Sequence, residues 1–279
     1  MVAEVVELLR DARVVVDMTV GAGGHAAALL DAGVRDVVGV DRDPAALARS
    51  ARALDRYGDR VRFIRARFSE VDEDVIGGTV GGVLFDLGVS SMQLDEGERG
   101  FAFRVDGPLD MRMAGAADDE PSARDLVNTL PEGELADVLY RYGEERLSRR
   151  IAAAIVRHRP IETTDELAGV IVSAVGRRPG GPHPARRSFQ ALRIAVNREL
   201  EELTASLPHA AGLLDPGGRV VVISYHSLED RVAKHALRDD PRLRVLTRKP
   251  AVATDAERTD NPRARSAKLR AAERIEDAA

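Results

Sequence analysis

The segment from residue 82 to residue 103 contains the side chains of this chain that are best suited to chemistry. An apolar strand ends at Asp86, and the polar stretch behind it is dense in glycine, serine, aspartate and arginine. In an open α/β sheet, ligands bind beyond the carboxyl ends of the strands, where loops of this kind emerge. A carboxylate at such a position is costly to desolvate without a partner. The pattern therefore predicts that Asp86 lies on the floor of an active site.

A second segment of this kind runs from Gly21 to Ala26, between a short apolar strand and a helix. Its Gly-x-Gly-x-x-Ala spacing lets the backbone approach a ligand closely. Asp41 follows about 20 residues later, at the end of the next strand, where an acidic side chain can accept from both ribose hydroxyls. The pattern fits a nicotinamide dinucleotide as well as any other adenosine cofactor. A tight turn beside a solvated aspartate would also produce it.

Four further side chains each have a functional and a structural interpretation. His25, in the first turn after the glycines, could contact a ligand or simply be exposed. Phe68, after the third predicted strand, could stack on an adenine or belong to the core. Ser90 and Gln93 could face the site or hydrogen-bond to their own loop backbone. The sequence leaves these alternatives open.

Ser224 to Ser227 form another polar group at the end of a predicted strand, and Ser227 is predicted to cap the helix that follows. A serine next to a histidine raises the question of a nucleophilic hydrolase. Neither serine lies in the Gly-x-Ser-x-Gly turn that exposes such a nucleophile. Hydrolase chemistry is therefore disfavoured.

The order of the predicted elements explains how these groups would come together. Apolar strands alternate with helices through the first part of the chain, which is typical of a mostly parallel sheet. Asp43 is a favourable helix N-cap, with Pro44 in the first turn. The predicted strands cover residues 14–17, 37–41, 61–66, 83–86 and 218–224, and an antiparallel pair at 243–247 and 268–275 would close the sheet.

A block of helices interrupts this alternation between residues 121 and 176. Apolar residues recur there at helical spacings, and Thr163 with Glu166 forms a capping box that opens one helix. A Pro/Gly run ends the block, and a long helix is predicted from Arg186. Residues 251–266 are polar and are predicted to form a loop. The predicted fold class is α/β, a doubly wound domain with a helical insert.

Composition argues against several classes of protein. The chain has 279 residues, no cysteine and a net charge of −5. Disulfides and thiolate chemistry are thereby excluded, and the cytoplasm is the expected location. No window is apolar enough for a membrane span, and the acidic amphipathic start is unlike a signal peptide. The histidines lack zinc-ligand spacing. We therefore expect neither a membrane nor a metal ion as partner.

Basic charge resides mostly in arginine, since lysine occurs only at positions 234, 249 and 268. Arginine can bind phosphate through two parallel hydrogen bonds and can stack on bases. Clusters at 177–187 and 263–270 are candidate phosphate contacts. A solvated helix surface with pairs such as Glu145 and Arg149 would give a similar pattern. The helical block has further arginines that could bind phosphate, at Arg141, Arg146, Arg149, Arg150 and Arg157.

Five segments, in order along nearly the whole chain, resemble the bacterial 16S ribosomal RNA cytosine-N4 methyltransferases of the MraW type. They are residues 17–25 (DMTVGAGGH), 86–112 (ending DGPLDMR), 188–197 (SFQALRIAVN), 224–230 (SYHSLED) and 261–270 (NPRARSAKLR).

The resemblance implies a Rossmann-like methyltransferase that uses S-adenosyl-L-methionine. It would modify the exocyclic N4 amine of a cytidine in the decoding region of 16S rRNA, with the small ribosomal subunit as partner and a homodimer left open. The methyltransferase domain would comprise residues 1–103 and 186–279, with residues 104–185 as an RNA-binding insert. Carried over by position, the cofactor contacts are Gly23, Gly24, His25, Asp41, Phe68, Asp86 and Gln93.

Methylation of this amine calls for hydrogen-bond acceptors, because its lone pair is delocalised into the ring. We expect these acceptors on the edge formed by Asp86 and residues 88–91, with Ser90 among them. Tyr225 and His226 would face that edge and orient or stack on the base. Two alternatives are a NAD(P)-dependent oxidoreductase, which the first βαβ unit alone suggests, and a non-catalytic RNA-binding assembly factor.

Overall fold

The computed structural model describes residues 1–90, 93, 96–115, 119–177 and 180–276. The chain forms two compact units, one of Met1–Gly88 with Leu200–Ala279 and one of Val89–Glu199. These units do not end where the sequence predicted, at 103 and 185. Phe101 and Phe189 lie outside the predicted insert, yet both belong to the hydrophobic core of the second unit. A Pro/Gly run marks a loop, but here that loop joins two helices of one core.

The first unit contains one sheet and the helices that flank it. Among the described residues the sheet has eight strands, in the order β3-β2-β1-β4-β5-β8-β6, with β7 paired to β8. The strands are β1 (Val14–Asp17), β2 (Asp36–Asp41), β3 (Val61–Arg65), β4 (Val80–Asp86), β5 (Leu214–Ser224), β6 (Leu243–Val245), β7 (Ala251–Val252) and β8 (Lys268–Arg274). The helices are α1 (Val2–Leu9), α2 (Gly24–Asp31), α3 (Pro44–Leu54), α4 (Glu73–Ile76), α10 (Glu199–Leu213), α11 (Ser227–Asp239) and α12 (Asp255–Asp260).

Both faces of this sheet are buried. Val15 packs with α1 and α2, while its neighbour Val16 packs on the opposite face with Leu203 of α10. Successive strand residues point to opposite faces, so strands covered on both sides need continuous apolar runs such as those of β1 and β5. The predicted Rossmann-like α/β class is confirmed, as is the antiparallel pairing of β8 with β5 and β6.

The strand order reverses between β1 and β4. Strands β2 and β3 extend the sheet from one side of β1, and β4 pairs in parallel on its other side. Loops that leave the carboxyl ends of two such strands run in opposite directions and open a crevice. The segments after Asp17 and Asp86 therefore emerge at the edge where ligands bind in this class of fold.

The second unit is helical and has its own apolar core. The predicted capping box opens the helix Thr164–Val175, since Glu166 N–H donates to Thr163 Oγ1 at 3.3 Å and Thr163 N–H donates to Glu166 Oε2 at 3.1 Å. Leu139, Ile151 and Phe189 lie in this core. The helices are α5 (Ala123–Thr129), α6 (Glu132–Gly143), α7 (Ser148–Arg157), α8 (Thr164–Val175) and α9 (Arg186–Asn197).

Three local expectations differ from the structure. The long helix expected from residue 186 breaks at Arg198, which has φ 52°. Residues 251–266 form β7, α12 and the short 3-10 helix Pro262–Ser266, because Ala253 and Ala264 pack into the core of the first unit. Glu145 turns inward and accepts the N–H of Leu147 at 2.9 Å. Among the described residues, no helix has the length and apolar character of a membrane span.

Candidate active site

Three neighbouring strands of the first unit end in an aspartate. Asp17 ends β1, Asp41 ends β2 and Asp86 ends β4. The parallel register brings these ends to the same edge, with Asp17 opposite Gly39 of β2 and Leu84 of β4. The sequence singled out Asp41 and Asp86, and the structure adds Asp17 between them.

The glycine loop after β1 is tied to β2 through Asp41. Gly21 N–H donates to Asp41 Oδ2 at 3.0 Å, and Asp43 N–H donates to Asp41 Oδ1 at 2.9 Å. Burial raises the pKa of Asp41, and these backbone donors act against that shift. The carboxylate thus holds the loop in place at the end of β2.

Gly23 occupies a position that other residues would strain. It is the N-cap of α2 with φ 84°, in the left-handed region that glycine tolerates best. A Cβ on Gly23 would lie 3.1 Å from Leu54 Cδ1, whereas a Cβ on Gly24 would meet nothing within 4 Å. The left-handed backbone and the neighbouring Leu54 side chain therefore both require glycine at position 23, whereas Gly24 faces open space.

Asp86 is held between two donors. The Tyr225 hydroxyl donates to Asp86 Oδ1 at 2.9 Å, and His25 Nε2 lies 3.3 Å from Asp86 Oδ2. Asp86 N–H donates to Thr19 Oγ1 at 2.7 Å, which anchors the end of β4 to the β1 loop. Burial and the charge of Asp86 raise the pKa of Tyr225, so its hydroxyl keeps the proton that it donates. We call Asp86, Tyr225 and His25 the Asp86 cluster.

His25 and Asp17 have shifted pKa values. Burial disfavours the charged form of His25, but the hydrogen bond and charge of Asp86, with the charge of Asp17, outweigh it and raise the pKa. His25 Nδ1 is buried and has no hydrogen-bond partner among the described residues. Burial raises the pKa of Asp17 to about 7, although the charge of His25 acts against this. Burial thus brings the pKa of Asp17 near neutrality, and Asp86 strengthens proton binding by His25.

Phe68 lies just after β3 and packs against the sheet core. Its ring meets Phe85 edge to face, with centroids 5.7 Å apart, and it is only partly buried. The core interpretation of Phe68 therefore holds for the part of the ring that contacts Phe85. Its stacking on an adenine stays a prediction.

His226 caps a helix. Its Nδ1 accepts the N–H of Glu229 at 3.3 Å, so the N-cap of α11 is His226 and not Ser227, the capping residue that the sequence suggested. The carboxylate of Glu229 accepts from Tyr225 N–H at 2.8 Å and from His226 N–H at 3.2 Å. The His226 side chain is 9% exposed, with Nε2 3.1 Å from Glu229 Oε1. Its predicted contact with a base stays a prediction.

Sequence reasoning missed Glu229, Thr19 and Asp17. Glu229 is three residues after the cap and could have been found as the acidic member of a capping box. Asp17 ends an apolar strand as Asp86 does, and the same argument applied to β1 would have found it. No sequence signal points to the bond between Thr19 and the end of β4.

Ser90 and Gln93 belong to the second unit, and each binds the other's backbone. Ser90 N–H donates to Gln93 Oε1 at 2.9 Å, and Gln93 N–H donates to Ser90 Oγ at 3.2 Å. This is the local arrangement that the sequence left open. Ser91, part of the predicted acceptor edge, and Arg178 of the basic cluster lie outside the described residues. The site roles of Ser90 and Gln93 stay predictions.

Comparison with known proteins agrees with the resemblance seen in the motifs. Residues 1–275 match the MraW methylase family. A ribosomal RNA small subunit methyltransferase H from Synechococcus elongatus is 54% identical over 93% of this chain and 87% of that protein. Its counterpart from Heliobacterium modesticaldum is 47% identical over 98% and 96%. A solved rRNA methylase from Streptococcus thermophilus aligns over 99% and 94%, with 12% identity and a TM-score of 0.47. This chain belongs to the MraW methylase family.

Proposed function

We propose that this protein transfers a methyl group from S-adenosyl-L-methionine to the exocyclic N4 amine of a cytidine in the decoding region of 16S rRNA. The observation that carries the proposal is the Asp86 cluster, which lies at the strand-order reversal, where ligands bind in this fold class. The names of the relatives, ribosomal RNA small subunit methyltransferases, support the substrate. The partner is then the small ribosomal subunit, in the cytoplasm, and the reaction needs no metal ion.

The residues of the first unit fit this cofactor. Gly24 faces open space, where a ligand can approach the loop backbone closely, and Gly23 gives the loop the left-handed turn that precedes it. His25 Nδ1 is a buried polar atom without a partner among the described residues, so it is available to a ligand. Asp41 would bind the ribose and Phe68 the adenine, with Asp86 toward the methionine end. When bound, S-adenosyl-L-methionine would supply a methyl carbon made electrophilic by its sulfonium, and breaking the bond between that carbon and sulfur would leave S-adenosyl-L-homocysteine.

The role of the Asp86 cluster follows from the chemistry of the cytosine amine. Its nitrogen gains a methyl group and must lose one proton. The Asp86 carboxylate would accept an N–H of the amine, favour a lone pair outside the ring and take the positive charge that develops. Tyr225 and His25 hold the two carboxylate oxygens in position, which aligns the nitrogen for attack. The departing proton would pass to Asp86.

The test is methylation of unmodified small subunits with tritiated S-adenosyl-L-methionine, followed by mapping of the labelled nucleotide. The expected label is a single cytidine carrying the methyl group at N4. Asp86→Asn should lose most of the single-turnover rate. Wild-type cofactor affinity and rate in that variant would contradict the assigned site.

Binding measurements on the same wild-type protein separate the two alternative functions. A calorimetric titration that shows binding of S-adenosyl-L-methionine without transfer to any RNA would favour the assembly factor. Enhanced fluorescence of reduced nicotinamide cofactor on titration would favour the oxidoreductase. Sedimentation of the protein tests the homodimer.

A further inference from the structure

The turn between α6 and α7 packs against the start of α9 within the second unit. A Cβ on Gly143 would lie 2.5 Å from the Arg187 carbonyl oxygen, so only glycine permits this approach. Arg187 Nη1 donates to the Glu144 carbonyl at 3.2 Å, and Gln190 Nε2 donates to the Tyr142 carbonyl at 3.1 Å. Two basic segments that are far apart in the sequence therefore form one surface. We call residues 140–150 and 186–187 the arginine surface.

Positive charge dominates this surface. Of its two acidic residues, Glu144 is exposed, while Glu145 is buried and turned toward the N–H of Leu147. The Arg141 guanidinium lies 3.9 Å from the carboxylate of Asp137, and because both side chains are largely exposed, water screens this pair. The exposed arginines are Arg141, Arg146, Arg149, Arg150, Arg186 and Arg187.

Two of these arginines occupy positions that do not favour positive charge. Arg149 and Arg150 lie in the first turn of α7, where the helix dipole disfavours positive charge. Tyr140 and Leu147 are 61% and 44% exposed between the arginines. An accessible aromatic ring among guanidinium groups is the combination that binds unpaired nucleic acid, through base stacking and phosphate contacts.

We propose that the arginine surface binds the backbone of the rRNA substrate, with Tyr140 stacked on an unpaired base. This inference rests on the proposed function and adds a contact made by the second unit. The guanidinium group of arginine binds phosphate whatever the RNA sequence, so the contact supplies affinity and not base specificity. An acidic protein of the subunit is the competing occupant.

The first test replaces three arginines whose guanidinium groups make no hydrogen bond or ion pair with the described residues. Arg146→Gln, Arg149→Gln and Arg150→Gln are combined, and the matched control combines Arg10→Gln, Arg35→Gln and Arg238→Gln, exposed arginines of the first unit. Both proteins lose three charges. Each phosphate contact contributes about 0.7–0.9 to the slope of log affinity against log salt. A fourfold rise in salt should therefore weaken naked-rRNA binding about 20- to 40-fold more in the wild type than in the surface variant.

The second test isolates the ring. Tyr140→Ala should weaken binding to the same RNA about 5- to 150-fold with an unchanged salt slope, from a stacking energy of about 1–3 kcal/mol per base. Tyr140→Phe should bind as the wild type does. Unchanged calorimetric binding of S-adenosyl-L-methionine checks that each variant is folded.

The outcomes separate this inference from the proposed function. If wild-type protein methylates the RNA but the surface variant keeps the wild-type salt slope, the surface assignment is wrong and the proposed function stands. A variant that binds naked rRNA normally and assembled subunits poorly would overturn the RNA contact in favour of a protein partner. If wild-type protein neither binds nor methylates the RNA, the proposed function is wrong, and the surface assignment, which rests on it, is wrong as well.

Discussion

Replacing Tyr225 by phenylalanine removes one hydrogen bond and little else. The hydroxyl donates to Asp86 Oδ1 at 2.9 Å, while the ring packs beside Gly88, where a Cβ would be 3.2 Å from the Tyr225 Cδ2 atom. Phenylalanine keeps that ring. A hydrogen bond to a charged group contributes about 1.5–3 kcal/mol. At 1.36 kcal/mol per tenfold, the single-turnover methylation rate should fall about 10- to 160-fold.

We expect the fall in methylation rate to lie at the lower end of that range, because the Asp86 side chain is 27% exposed and water can replace the lost donor. The assay is single-turnover transfer at saturating S-adenosyl-L-methionine, with cofactor affinity measured separately by calorimetry. Tyr57→Phe is the matched control, since it removes a 2.8 Å hydrogen bond from a tyrosine hydroxyl to Asp31 Oδ1 elsewhere in the first unit. A wild-type rate and affinity in Tyr225→Phe would refute the role given to the Asp86 cluster.

Three further predictions test the supports of the site. Gly23→Ala should weaken cofactor binding and lower the Tm, because the left-handed backbone costs about 1–2 kcal/mol for other residues; Gly24→Ala, at ordinary φ with open space, should keep the Tm. Glu229→Ala should slow methyl transfer by releasing Tyr225 N–H, and Glu229→Gln should restore most of the rate because its amide oxygen can accept the same bond; equal losses would mean that charge matters instead. Asp17 has a folded pKa of about 7 against 3.8 for the free group, so folded protein binds the proton more tightly and the free energy of unfolding should fall as pH rises between these values, with the contribution lost above about 7. Urea unfolding at several pH values should show this decline in the wild type and not in Asp17→Asn.

The sequence predicted the chemistry of the strand ends because local pattern and topology agree there. Apolar runs that end in aspartate and alternate with helices predict a parallel sheet, in which the carboxyl ends of the strands meet at one edge. Asp41 and Asp86 could therefore be assigned to one edge. The Tyr225 bond to Asp86 could only be suggested, since strand order does not fix which atoms of two distant loops meet.

Other features depend on tertiary contacts that periodicity does not encode. The helical pattern of α6 and α9 indicates an apolar face for each, but not that Gly143 lets them approach near Arg187. The capping role of His226 was hidden because histidine is not among the preferred N-cap residues. Residues 251–266 are mostly polar, but Ala253 and Ala264 pack into the core of the first unit and hold this segment against the sheet.

The geometry of Asp86 allows a substrate to bind while the hydrogen bonds of the Asp86 cluster stay intact. Each carboxylate oxygen has two lone-pair sites, and the structure assigns Tyr225 to one oxygen and His25 to the other. One acceptor site on each oxygen can therefore still receive an N–H from an amine, through the part of the side chain that is exposed. The donors then stay in place during the reaction, so the cost of orienting Asp86 is met when the protein folds and not during each turnover.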